Sequence, residues 1–292
     1  VHFEIVHSTT YTYPNSVVLS PHLLRLCPRS TGEQQVLGFD LKIVPQPSGL
    51  TQILDAEGNS VVRCWWSDTA LTSLAVTASS QVITTCTNPF SFLLEPWATH
   101  FPLDYPRSLI AVLFPYIHQD LDTVATQLAQ EIAIEVKSNM VDFLMRLNQR
   151  INQECHYQIR ETGQPWPPWM TWTKKQGSCR DLVRLFMAAC RGMGLATRFV
   201  SGYEAGDPKH EQTLHAWAEV YLPGAGWRGF DPTMGVAVCD RHVALVASAW
   251  PEQTNPIEGG IQGNQGTPSI DFQVSVKTSA QPQKRAKKKD PA

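Results

Sequence analysis

The sequence predicts an α+β protein: an N-terminal antiparallel β-sandwich, then a core in which helices come first and an antiparallel sheet follows. Three observations predict this. Residues 1–105 are a run of short β-branched or alternating stretches cut by turn signals. From residue 119 the apolar spacing changes to helical periodicity. The alternating stretches at 196–203, 214–222 and 226–231 follow the last helix instead of interleaving with helices, which separates α from β along the chain.

The first stretches are 2–13, 23–28, 38–45, 51–55, 60–67 and 71–85, with Pro45-Gln46-Pro47-Ser48-Gly49 and Glu57-Gly58-Asn59 as punctuation. Many short strands with frequent turns are the pattern of a sandwich. His7, His22 and Arg25 read as structural residues within it. Residues 96–106, rich in Pro and aromatics, form a connector. Two helices follow, at 119–137 and 139–153, with Ser138-Asn139 as break and cap, and Met140, Phe143, Leu144, Leu147 and Ile151 make the inner stripe of the second. A third helix spans 178–194. Its N-cap is Ser178, its stop signals are Gly192 and Gly194, and its buried face holds Leu182, Val183, Leu185, Phe186, Ala189, Cys190 and Met193. The polar stretch 204–212 reads as a solvated connector, 255–268 as a glycine-containing loop, and 271–276 as an edge strand. The expected division is 1–105 for the β-sandwich domain, 106–278 for the core and 279–292 for a disordered basic tail.

Composition narrows the function. At 292 residues there is room for about two domains with real cores. Apolar content of 42% and charge of 17% are ordinary for a globular protein, and no apolar run approaches the ~20 residues of a membrane span. Seven cysteines without a C-x-x-C pair argue against a zinc ribbon and a disulfide framework. Cys27, Cys64, Cys86, Cys155 and Cys239 read as reduced, mainly buried thiols, which makes the cytoplasm the expected compartment. Net charge is −2; the last thirteen residues carry +4, which leaves −6 on the rest, so the core is not expected to bind nucleic acid. No acidic cluster suggests calcium, and no metal or cofactor is expected. Oligomeric state is not readable.

Chemistry concentrates at 177–181 and 213–233. Cys179 is the first residue of the third helix, where free backbone N–H groups and the positive end of the dipole favour a thiolate and can hold an oxyanion. A cysteine chosen at random is more often an inert buried hydrophobe, and Cys190 is read that way. Cys179 differs because two partners follow. His215 opens an alternating strand, and Pro223-Gly224-Ala225-Gly226 turns it back. With a three-residue loop, Leu222 opposes Gly226 and Asp231 falls opposite Trp217, diagonal to His215 and within side-chain reach. A slip of one residue would send Asp231 to the wrong face.

These segments carry a family resemblance. Gly177-Ser178-Cys179-Arg180-Asp181, Ala196-Thr197-Arg198-Phe199-Val200-Ser201-Gly202-Tyr203, His215-Ala216-Trp217-Ala218-Glu219-Val220-Tyr221 and Gly226-Trp227-Arg228-Gly229-Phe230-Asp231-Pro232-Thr233 resemble the bacterial transglutaminase-like proteins, which share the papain-like cysteine protease core. Arg241-His242-Val243 fits as well. His7-Ser8-Thr9-Thr10-Tyr11-Thr12-Tyr13 and the stretch 22–29 resemble that family's N-terminal β domain. The resemblance implies a catalytic triad of Cys179, His215 and Asp231 and an acyl-enzyme formed from a peptide or other amide, resolved by water or by an amine acceptor. Gln176, Ser178, Trp172 and Trp217 are the oxyanion or substrate candidates. Two rivals remain: a catalytically silent scaffold with the same fold, and an acyl-CoA-dependent acetyltransferase, for which no phosphate-binding glycine loop is found.

Overall fold

A computed structural model of the chain describes residues 1–67, 70–117, 121–160, 163–206, 212–263 and 266–279. The basic tail, apart from its first residue, and the middle of the 204–212 connector lie outside the described residues. Five strands come first: β1 His2–Leu24, β2 Gln34–Val44, β3 Gly49–Leu54, β4 Ser60–Trp65 and β5 Leu71–Thr84. Then come α1 Arg107–Ile117, α2 Thr123–Glu135, α3 Met140–Glu154, β6 His156–Tyr157, α4 Pro168–Lys174, β7 Gln176–Gly177 and α5 Cys179–Gly192. Strands complete the described residues: β8 Thr197–Glu204, β9 His215–Leu222, β10 Gly226–Asp231, β11 Val236–Ala237, β12 His242–Ser248, β13 Ile257–Gln262 and β14 Ser269–Ser279.

β1 builds the sandwich. Its pairing with β5 shifts register between Thr12 and Val17, and the strand serves two sheets. Its first half lies between β5 and β14, with β2 outside β5. Its second half lies between β4 and β13, with β3 outside β4. Tyr13, Val17, Leu19 and Leu24 from β1 meet Ile43, Val62, Cys64, Leu74 and Val76 in one buried cluster between the sheets. Alternation along β1 explains this, since every second residue faces the partner sheet. His7 and His22 are buried and hydrogen-bonded, to Tyr203 and Thr9 and to the Ser20 carbonyl respectively, and Arg25 pairs with Glu258 at 2.8 Å.

The second sheet has the order β11-β10-β9-β8-β12, and all its pairs are antiparallel. α5 lies on it. Leu182, Val183, Leu185, Phe186 and Ala189 join Ala216, Ala218 and Val220 of β9 and the inner faces of α2 and α3 in the largest cluster. Phe3, Ile5, Val82, Val274 and Val276 of the sandwich pack against Tyr203, Val243, Leu245 and Val246, so the two layers share a buried seam.

Three expectations need correction. The stretch 255–268 contains strand β13, and β13 and β14 pair with β1 in the sandwich, not with the sheet that carries β9. The sheet assignment therefore cuts across the expected 106–278 unit: β14 is an edge strand, but of the first sheet. α1 and α4 are extra helices. Each opens at or just after a proline, and Pro168 sits at the first turn of α4, where a missing N–H costs nothing.

Candidate active site

The start of α5 is fixed by one carboxylate. Asp181, its third residue, is fully buried and reaches back to accept from the backbone N–H and the hydroxyl of Ser178, both at 2.8 Å. Arg160 donates to the same oxygen at 2.9 Å, and the Trp166 N–H donates to the other at 2.7 Å. Asp181 thus ties the helix N-terminus to the 160–166 segment, while Arg160 also lies 4.4 Å from the centre of the Trp166 ring. Cys179 is the first helical residue and half-buried. It faces a cleft of about 650 Å³ also lined by Tyr157, Arg180, Arg184, Leu214 and His215.

The hairpin register is the one the sequence requires. Gly226 pairs with Leu222 and Phe230 with Ala218, which brings Asp231 to the His215 end of β9. His215 Nε2 donates to Asp231 Oδ2 at 2.6 Å. That bond leaves the other ring nitrogen, Nδ1, for Cys179, which lines the same cleft. Burial disfavours a charged imidazole here. The bonds and charges of Asp231 and Cys179 outweigh it and raise the His215 pKa to about 10. Burial would likewise push Asp231 up, but hydrogen bonds from His215 and His242 hold it well below the usual carboxylate range. Cys179, His215 and Asp231 therefore form one array, with Asp231 bonded to His215 and Cys179 beside His215 at the cleft. Asp231 is held from behind as well: its second oxygen accepts from the backbone N–H groups of Thr233 and Met234, at 2.9 and 3.2 Å.

His242 is the member that sequence reasoning gave no role. It lies at the start of β12, 5% exposed, and donates from Nε2 to Asp231 Oδ2 at 3.1 Å. Its ring meets Trp217 edge to face at 5.2 Å. The ligand atoms of His215, Asp231 and His242 lie within 4.8 Å of one another, so a metal could in principle be gathered there. Both Nε2 atoms already bond one carboxylate oxygen, and a metal would have to displace both bonds. Tyr157 also went unnoticed. It is half exposed at the cleft, where burial first, then the negative charges of Cys179 and Asp231, raise its pKa.

The remaining candidates divide. Ser178 lines the cleft, but its side chain is committed to Asp181 as part of the helix cap. Gln176 lies on β7 beside His156, and neither it nor Trp172 is among the cleft-lining residues. The Trp172 ring packs on the main core and holds the Lys175 ammonium over its face. Trp217 is fully buried with Val200, Ala244 and Ala247 and borders a separate cavity, so it supports His242 and does not reach the cleft. β9 sends Ala216 and Ala218 toward α5; Trp217 shares the face of His215 but lies two residues further into the sheet, where Val200, Ala244 and Ala247 enclose it.

Comparison with known proteins accords with this arrangement. Residues 3–83 match the bacterial transglutaminase-like N-terminal region, and residues 126–232, which contain all three members of the array, match the transglutaminase-like superfamily core. The chain belongs to the transglutaminase-like superfamily. Among its relatives is an uncharacterized protein of Mycobacterium tuberculosis, 27% identical over 289 residues, covering 94% of this chain and 92% of the relative. Another, from Mycobacterium leprae, is 25% identical over 281 residues and covers 94% and 97%. A crystal structure from Cytophaga hutchinsonii, solved as a candidate cysteine protease, superposes with a TM-score of 0.70 at 20% identity, over 96% of this chain and 92% of that one. That likeness shows a shared fold over nearly the whole chain.

Proposed function

We propose that this member of the superfamily is a cysteine hydrolase that cleaves an amide bond through an acyl-enzyme. The observation that carries the reading is that Cys179 and His215 line one open cleft while the buried Asp231 is bonded to His215 behind it. Cys179 Sγ attacks the substrate carbonyl as thiolate. The imidazolium of His215 gives its Nδ1 proton to the leaving amine, and Asp231 keeps the ring oriented by holding Nε2–H. The free N–H groups at the start of α5 then donate to the oxyanion in this reading. Water, activated by His215, then resolves the thioester to acid and free thiol. A peptide or protein is the proposed substrate. Transfer to a primary amine differs only in the second nucleophile and is the alternative outcome of the same intermediate. The free thiols support a reducing compartment, and the cytoplasm is proposed on that ground.

The test is to incubate the protein with a peptide library and a labelled primary amine at millimolar concentration. The expected result is a peptide acyl adduct on Cys179, absent in Cys179→Ala, with free acid as the main product. Amide as the main product makes the protein a transamidase. No adduct and no product from folded protein, with the Cys179 thiol unmodified, rejects the enzymatic reading and favours a silent scaffold.

A further inference from the structure

Cys86 and Cys239 are 153 residues apart in sequence, yet their sulfurs lie 2.9 Å from each other. The Cys239 sulfur is also 3.2 Å from the Cys86 carbonyl oxygen. Both are free thiols. Cys86 directly follows β5 of the sandwich and is buried; Cys239 is half-buried in the turn between β11 and β12. Both border a cavity of about 500 Å³ that also reaches Trp217 and His242. This turn is already tied to the sandwich. The Thr84 hydroxyl donates to the Asp240 carbonyl at 2.7 Å, and the Cys239 carbonyl accepts from the His242 N–H at 3.4 Å. His242 in turn holds Asp231. The two sulfurs are therefore within a side-chain adjustment of bonding distance, about 2.05 Å, at the junction between the sandwich and the strand that supports the candidate triad.

We propose that Cys86 and Cys239 are a disulfide-forming pair, closed by exchange with a low-molecular-weight disulfide, and that the bond staples the sandwich to the turn carrying His242. Cys239, the more accessible thiol, loses its proton to solvent and attacks one sulfur of the small disulfide. That S–S bond breaks, one small thiolate leaves, and a mixed disulfide forms on Cys239. Cys86 then loses its proton and attacks the Cys239 sulfur, which expels the second small thiolate. The protein pair gives up two electrons and two protons, and the small disulfide becomes two thiols. Burial pushes the Cys86 thiol up, so the second step accelerates with pH. The staple closes a loop of about 150 residues, a length at which cross-links restrict the unfolded chain strongly.

The experiment uses the full chain, incubated with oxidised glutathione or with a phosphine reductant, then denatured in N-ethylmaleimide, digested with trypsin and mapped by mass spectrometry. The expected result is a peptide linked between Cys86 and Cys239 only after oxidation, with fragmentation assigning the link to Cys86 and not to Cys64, which shares its tryptic peptide. The link should be absent in Cys86→Ser and Cys239→Ser, and the oxidised wild-type chain should melt roughly 5–10 °C higher than the reduced one. Maleimide on both cysteines after oxidation overturns the proposal. So does a stable glutathione adduct on Cys239 in a chain that retains Cys86. If either serine variant fails to fold, the wild-type map alone decides between these results.

Discussion

Replacing Asp181 by alanine removes a fully buried carboxylate that accepts four hydrogen bonds, from Arg160 Nη1, Trp166 N, Ser178 N and Ser178 Oγ. Bonds to a charged acceptor are worth about 1.5–3 kcal/mol each, so a plain sum would reach about 6–12 kcal/mol. The sum overstates the loss. Arg160 is 16% exposed and can recover water once its partner is gone. The N–H and hydroxyl of Ser178 are buried and cannot. Deleting one member of a buried pair costs about 3–5 kcal/mol, and that figure governs here. For a chain of this size each kcal/mol moves the melting temperature by about 2–4 °C, so Asp181→Ala should melt roughly 6–20 °C lower. Asp181→Asn keeps the shape but loses the charge and should recover about half of this. Thermal and urea unfolding by circular dichroism measure the effect. Because the same carboxylate sets the start of α5, alkylation of Cys179 in the folded Asn variant should also slow. A loss below about 1 kcal/mol with unchanged Cys179 labelling would refute the claim that Asp181 organises this end of the site.

Four further outcomes are expected. Iodoacetamide at pH 6 should label Cys179 before the other thiols: burial raises those of Cys27 and Cys190, and lifts Cys64 and Cys155 to about 11 and Cys86 to about 12; uniform labelling on peptide mapping would contradict a reactive Cys179. Asp231→Asn should cut turnover by roughly 10²–10⁴ while the circular dichroism spectrum is kept, and full activity in the folded variant would remove Asp231 from the mechanism. The pH dependence of stability has a definite sign: the raised His215 pKa contributes stability present below about 6.5 and lost as pH rises through about 10, and the depressed Asp231 pKa contributes stability present above about 3.9 and lost on acidification, so unfolding by urea across pH 4–10 should show an alkaline decline that Asp231→Asn abolishes. His242→Gln should lower kcat about 10-fold to 100-fold with KM little changed, because it removes or weakens one bond to the orienting carboxylate and touches no substrate; an equal rise in KM with kcat intact would contradict a positioning role.

Much of the site was legible because its signals are local. The capping pattern at Ser178–Asp181 and the alternation of β9 are short-range features, and a three-residue turn fixes the hairpin register that brings Asp231 to His215. His242 was not legible as a partner, since nothing local ties residue 242 to residue 231; the crossing of β12 beside β8 does that. Gln176 and Trp172 were misjudged for a related reason. Closeness in sequence to Cys179 suggested closeness to the cleft, whereas the bend at Lys175, with φ of 52°, turns α4 and Trp172 toward the core, and Gln176 is taken up by β7 beside His156. The fold shows the same division. The strands of the sandwich were read from their own alternation, but β13 passed for a loop because Gly259 and Gly260 dilute its pattern. Gly259 is required where it stands, since a side chain there would collide with the His22 ring. Partners more than 200 residues away, such as Thr9 and Phe272, leave no trace in local periodicity.

That long-range pairing of β1 sets an order of events during synthesis. Its first half bonds residues 269–279 along one side, so this side of the opening strand has no partner until almost the whole described chain has been made. At about 5–20 residues per second the interval is roughly 10–50 s, during which a row of main-chain groups on a β-branched strand stands open. β14, the last of the described strands, is thus the one that seals β1. Cutting the chain near residue 105 would not release a finished sandwich but one with β1 bare on that flank, and excision of the α5-bearing unit would succeed only if β13 and β14 were rejoined to the fragment they complete.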